Sequence, residues 1–108
     1  MSLAGRLSRT INPNEYYFEN TGPNPANPIA KFFYAIPRSA TGAGVKIRIF
    51  DVNGRMVKTL VDGYRAAGPH TATWDGTDDR GRGVSSGRYF ARIQAGSWTA
   101  SANVTILK

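Results

Sequence analysis

Val45-Lys46-Ile47-Arg48-Ile49-Phe50-Asp51-Val52-Asn53-Gly54-Arg55-Met56-Val57 is the run on which the fold turns. Val45, Ile47 and Ile49 alternate with Lys46 and Arg48, the period-two signature of a strand with one buried and one solvated face. Asn53-Gly54 then reads as a two-residue hairpin turn, because both residues tolerate the positive φ that such a turn needs. The chain returns over residues 55–61, and Asp62-Gly63 is expected to close that strand.

The same rhythm continues on both sides. Phe32, Tyr34 and Ile36 alternate with Lys31, Phe33 and Ala35 before Pro37 ends the run. A short strand is expected at 70–74, followed by a polar loop over 75–83. Residues 88–95 turn at Gly96-Ser97 into 98–107, where Trp98, Ala100, Ala102, Val104 and Ile106 share one face. No segment keeps apolar residues at helical spacing for three turns. Six strands, seven if Glu15–Phe18 contributes one, predict an all-β antiparallel β-sandwich, which the family resemblance given below implies to be immunoglobulin-like.

Residues 1–28 differ in composition, holding Pro13, Pro23, Pro25 and Pro28 together with Asn12, Asn14, Asn20, Asn24 and Asn27. They read as an Asn/Pro-rich linker or lead-in, with the sandwich over 29–108. Met1–Gly5 lacks the basic and apolar regions of a secretory signal, and the chain reads as part of a longer protein.

Composition removes several classes of chemistry. There is no cysteine, so disulfides, thiolate metal sites and cysteine nucleophiles are excluded. His70 is the single histidine, and no nucleophile or second acid–base group is legible beside it. Glu15 and Glu19 are the only glutamates, and no phosphate-cradling glycine motif precedes a helix. Neither an enzyme nor a cofactor is expected. Asp75, Asp78 and Asp79 cluster as a calcium site would, but Arg80 and Arg82 sit among them, and a strand-connecting loop built on Asx turns is the expected reading. The longest apolar runs are too short for a membrane-spanning helix.

Fourteen Lys and Arg against seven Asp and Glu give a net charge of +7. Lys46, Arg48 and Lys58 are expected to form a stripe, with Arg55, Arg88 and Arg92 scattered elsewhere. Such charges read as a solvated sheet face that discourages edge-to-edge association, and no nucleic-acid partner is expected. Binding of a polyanion or carbohydrate by that face is a further reading, and it demands salt-sensitive affinity.

The ordered turns resemble a family. Asn24-Pro25-Ala26-Asn27-Pro28 followed by Phe32-Phe33-Tyr34-Ala35-Ile36-Pro37 resembles the opening motif of C-terminal sorting domains of the type IX (Por) secretion system. Ile49–Val57 looks like that family's hydrophobic–Phe–Asp–x–x–Gly–Arg hairpin. Trp74-Asp75-Gly76, Gly87-Arg88-Tyr89-Phe90 and Ala95-Gly96 follow in order, to Ile106-Leu107-Lys108. Residues 51–95 are equally similar to the immunoglobulin-like domain of flagellar hook-capping proteins, the FlgD-like family. Ala26 departs from a position where an aromatic is common, and Asn103 from one that often carries Lys.

The resemblance implies a non-catalytic C-terminal module that targets or anchors a larger secreted protein at the cell surface. Its partners would be outer-membrane translocon components and an upstream domain, and the isolated module would be a monomer. Arg88, Tyr89, Phe90, Trp98 and Lys108 are the candidate recognition residues of the terminal hairpin. Asn53, Gly54, Trp74, Asp75, Gly76 and Gly87 are the expected turn and core determinants. The alternative is a structural FlgD-like module that spaces or supports an upstream domain or an assembly.

Overall fold

The computed structural model describes residues 14–108. Seven strands run in the order β1 (Tyr17–Asn20), β2 (Ala30–Ile36), β3 (Ala43–Asp51), β4 (Met56–Arg65), β5 (Gly68–Trp74), β6 (Gly87–Ala95) and β7 (Trp98–Ile106). A single 3-10 turn at Arg38–Ala40 joins β2 to β3, and no α-helix occurs among the described residues. The strands form two antiparallel sheets, β1-β2-β5 and β4-β3-β6-β7, which pack as an open sandwich.

The period-two pattern puts the expected side chains inside. Phe32, Tyr34 and Ile36 of β2 face Val45, Ile47 and Ile49 of β3, and all six are buried. Alternate residues of β6 (Tyr89, Ala91, Ile93, Ala95) and the end of β7 (Val104, Ile106) complete the inner face of the larger sheet. Trp74 at the end of β5 is 0% exposed and lies edge-on to Tyr89, ring centroids 5.2 Å apart. No polar or charged residue is fully buried among the described residues, so the interior is held by apolar packing, with the polar tips of Trp74 and Tyr89 bonded at the rim.

The turn after β3 departs from the expected two-residue form. Asp51 N–H donates to Arg55 O and Gly54 N–H donates to Asp51 O, which leaves a three-residue loop, Val52 to Gly54. Only Gly54 takes a positive φ (82°), and Asn53 does not. This is the type I turn followed by a left-handed residue that three-residue hairpins use. The Asp51 carboxylate selects it by accepting from the amides of both Asn53 and Arg55 at 2.9 Å.

β4 also differs from expectation. Asp62-Gly63 does not end the strand but pairs with Lys46 and Val45 inside it, and β4 runs on to Arg65. The register slips twice, because Ile47 pairs with Val61 and Arg48 with Thr59, then Ile49 with Lys58 and Phe50 with Met56. The two extra residues are Leu60 and Val57, and both pack against the core. Bulges turn consecutive apolar residues inward where strict alternation cannot.

The stretch read as a lead-in is built into the sandwich. The strand expected at 15–18 lies instead at Tyr17–Asn20, while Tyr16 stacks on Trp98 with centroids 5.0 Å apart. Ala26 is 0% exposed, donating its N–H to Thr105 O and accepting from Leu107 N–H. Asn24 Oδ1 accepts from Thr105 N–H, and Asn20 Nδ2 donates to Asn103 O. The packed unit therefore reaches back past residue 29, at least to Tyr17.

Trp74→Ala should destabilise the fold by about 3–5 kcal/mol, the usual cost of deleting a large buried aromatic. Exposed Val52→Ala should stay within about 0.5 kcal/mol. Urea unfolding followed by circular dichroism measures both, and a Trp74→Ala protein as stable as the parent would contradict this core assignment.

Candidate recognition surface

The expected recognition residues do not converge on one surface. Arg88 and Phe90 project outward from β6, with Phe90 38% exposed. Tyr89 points the other way into the core, and its hydroxyl donates to Ser85 O at 2.7 Å. Trp98 is half-buried under Tyr16, and Lys108 is exposed past the end of β7, its backbone N–H donating to Ser86 Oγ. Strict alternation along β6 forces this division between Tyr89 and its two neighbours.

Trp74, Asp75 and Gly76 act together. Trp74 Nε1 donates to Thr77 O at 2.8 Å, while Asp75 Oδ1 accepts from the Thr77 amide and hydroxyl. Gly76 has φ 78° and its Cα faces Pro28, where an added Cβ would come within 3.0 Å of the proline ring. The loop after β5 is thereby pinned to both the core and the Asn-Pro segment. Gly87, with no Cβ, opens β6.

Two loops at this end share one design. In Asp51-Val52-Asn53-Gly54-Arg55 and in Asp78-Asp79-Arg80-Gly81-Arg82, the Asp carboxylate accepts from the amides two and four residues ahead at 2.9–3.0 Å. The main-chain bonds between the first and fifth residues repeat as well, and both glycines adopt φ near 82°. Arg55 and Arg82 each turn back onto their own Asp. The spacing Asp-x-x-Gly-Arg was the available signal for the second loop, and the sequence reading used it only for the first. Asp79 ties that second loop to the edge of β4, donating its N–H to Val57 O and accepting from Thr59 N–H. All three carboxylates of the acidic cluster thus have amide or hydroxyl donors.

Between these loops and the start of β6 lies an open groove of about 830 Å³, with Arg55, Arg80, Arg82 and Arg88 along its walls. His70 lies away from it, with Nε2 2.7 Å from Ala66 O and its ring stacked on Tyr34.

The cationic stripe is also rearranged. Lys58 leaves it, because the β4 bulges aim its ammonium at Thr77 Oγ1 and Asp78 O, 3.2 and 3.3 Å away. Arg92 takes its place, directly opposite Arg48 on the outer face of the larger sheet.

The profile of the FlgD Ig-like domain family matches residues 30–99, from the start of β2 into β7. The chain belongs to the FlgD Ig-like domain family. It is similar to the basal-body rod modification protein FlgD of Salmonella typhimurium, 45% identical over 51 residues, which is 47% of this chain and 22% of that protein. The FlgD of Salmonella typhi matches to the same extent. Among solved structures, Xanthomonas campestris FlgD, described for hook capping in flagellar assembly, aligns with TM-score 0.56 and 28% identity over 85% of this chain and 67% of that one. The dimeric latent PorU of Porphyromonas gingivalis aligns with TM-score 0.61 over 85% of this chain and 9% of that one; at 21% identity it shows a shared fold. The chain spans about a fifth of the Salmonella relatives' length.

In this FlgD-type domain, both Asp-x-x-Gly-Arg loops and the turn of Asp75 lie inside the family match. Their hydrogen bonds hold the carboxyls below the ordinary value of 3.8. The amide of Arg55 is the largest cause for Asp51, the Thr77 hydroxyl for Asp75, and the amide of Arg82 for Asp78. A carboxyl lowered by folding stabilises the fold above its unfolded pKa, and that contribution is lost as pH falls through the folded value. Thermal midpoints should therefore be level above the ordinary value of 3.8 and fall below it. The D51N/D78N double variant should flatten that acid limb, and an unchanged limb would show that these loops do not govern it. Separately, Gly54→Ala and Gly81→Ala should each cost about 1–2 kcal/mol in urea unfolding, because a Cβ is strained in the left-handed region.

Proposed function

We propose that this chain is a non-catalytic module of a larger exported protein, read by an outer-membrane secretion machinery as a C-terminal sorting domain. One observation carries this reading. The two segments that resemble sorting domains and lie outside the family match, residues 24–28 and 100–108, are joined by main-chain bonds between Ala26 and both Thr105 and Leu107. The two segments thus lie side by side along the outer edge of β7. Arg88, Phe90 and Lys108 are the exposed candidates for contact with the translocon on this reading. Edge pairing, one general mode of peptide recognition, is limited here because the Asn-Pro segment already occupies the second half of the outer β7 edge.

A second reading has its own support. The match to FlgD, named for basal-body rod modification and described for hook capping, favours a module that spaces or supports a neighbouring domain within an assembly. On both readings the job is positional and falls to the surface of the sandwich.

A reporter fused ahead of the chain separates the two. In a bacterium with a type IX secretion system, the sorting reading expects the reporter at the cell surface. It expects loss of export when Arg88, Phe90 and Lys108 are together changed to Ala, in a protein whose circular dichroism is unchanged. Retention of the unaltered fusion in the periplasm would overturn sorting and leave the spacer reading standing. Removing β7 is a poor probe, because Val104 and Ile106 leave the core with it.

A further inference from the structure

The outer face of the four-stranded sheet is organised in rows across β3, β6 and β7. Lys46 pairs with Gln94 and then Thr99, Arg48 with Arg92 and then Ser101, and Phe50 with Phe90 and then Asn103. Arg88 continues the face beside Thr105. Against these four cations, Asp62 opposite Lys46 is the only acid on the face.

Arg48 facing Arg92 is unfavourable by itself, since like charges directly across a ladder repel. Neither has an ion pair among the described residues, and residues 1–13 contain no Asp or Glu to supply one. Arg48 Nε is buried and has no hydrogen-bond partner among the described residues. A groove of about 180 Å³ lies over the pair, lined by Lys46, Arg48, Phe50, Arg92 and Gln94. An uncompensated cation pair costs stability, and an anion in that groove would relieve it.

We propose that this face binds an acidic polysaccharide, with the Arg48–Arg92 pair holding a carboxylate and the Phe50–Phe90 row packing against a sugar ring. Three features select that ligand over other polyanions. First, the cation rows are interrupted: Lys46 and the Arg48–Arg92 pair occupy adjacent rows, and Arg88 lies beyond the phenylalanines. Arg88 lies four residues from Arg92, about 13 Å along the strand, with the phenylalanine row between them. A nucleic-acid strand carries a charge on every nucleotide and would set one of them against the apolar phenylalanine row. A glycan charged on alternate sugars fits the spacing. Second, β3 and β6 are interior strands whose main chains are already paired on both sides. An acidic peptide laid across them finds no backbone partner for strand addition. Third, Thr99, Ser101 and Asn103 border the cations with hydroxyls and an amide, which suit a ligand rich in hydroxyl groups. The proposal shares Arg88 and Phe90 with the export reading but needs neither translocon nor hook.

Titration calorimetry with hyaluronan oligosaccharides, which alternate charged and neutral sugars, tests it. A poly-glutamate peptide and a single-stranded DNA of matched net charge are the comparators. Hyaluronan should bind most tightly at low salt. Affinity should drop as salt rises from about 50 to about 200 mM, because the contact is ionic. The R48Q/R92Q variant should bind at least about tenfold more weakly, the scale of one lost charge-assisted hydrogen bond. Its thermal midpoint should not fall, since the substitutions remove a like-charge pair. Phe90→Ala should weaken hyaluronan but not poly-glutamate. Should R48Q/R92Q fail to fold, the R92Q single variant, at an exposed position on the same groove, supplies the comparison. Equal affinity for hyaluronan, peptide and DNA would overturn the assignment. So would hyaluronan binding unchanged in the arginine variants, or no hyaluronan binding at low salt.

Discussion

Trp74 is the contact on which the remaining structure leans. Its indole is fully buried between the sheets against Tyr89, Ile49 and Phe32 lie in the same cluster, and its N–H is spent on Thr77 O. That single hydrogen bond couples the core to the loop after β5. The loop in turn holds the edge of β4 through Asp79 and receives Lys58 from it. An apolar ring with one polar handle can do both jobs, filling the interior while fixing the direction in which the chain leaves it.

Around this centre the polar groups divide by scale. Short-range carboxylate–amide bonds build the loops, and the Asp-x-x-Gly-Arg design is used twice because it satisfies two amides with one side chain at a left-handed glycine. Among the described residues, the cations have no such local partners on the outer sheet face. Their arrangement there costs stability without a visible internal return, which is the pattern expected where a surface serves binding. The net charge of +7 is therefore concentrated in meaning, with one face carrying Lys46, Arg48, Arg88 and Arg92.

Much of the fold was legible. Alternation identified β2, β3 and β7 with their inner faces, and Gly96-Ser97 marked the turn between β6 and β7 correctly, because both signals are local and follow from the pleat. β4 was misread at Asp62-Gly63, since a turn-forming dipeptide was overruled by pairing with Val45 and Lys46 on a strand already in place. The Asn-Pro segment looked like a linker because its bonds go to β7, about eighty residues away. The placement of the proposed recognition residues was the least legible. Tyr89 faces inward by the same alternation that exposes Arg88 and Phe90, and Arg92 gained its importance only from lying opposite Arg48.

The amino-acid order alone determined an all-β chain with a cysteine-free apolar interior, and it marked which side of most strands would be dry. Those properties depend on neighbours one or two residues apart. Only the tertiary structure decided which strands lie side by side, that Ala26 closes the edge of β7, that two equivalent loops border one groove, and that the free cations share a face. Pairing between distant strands is chosen by the packing of the whole sandwich around Trp74, so no window along the chain contains it.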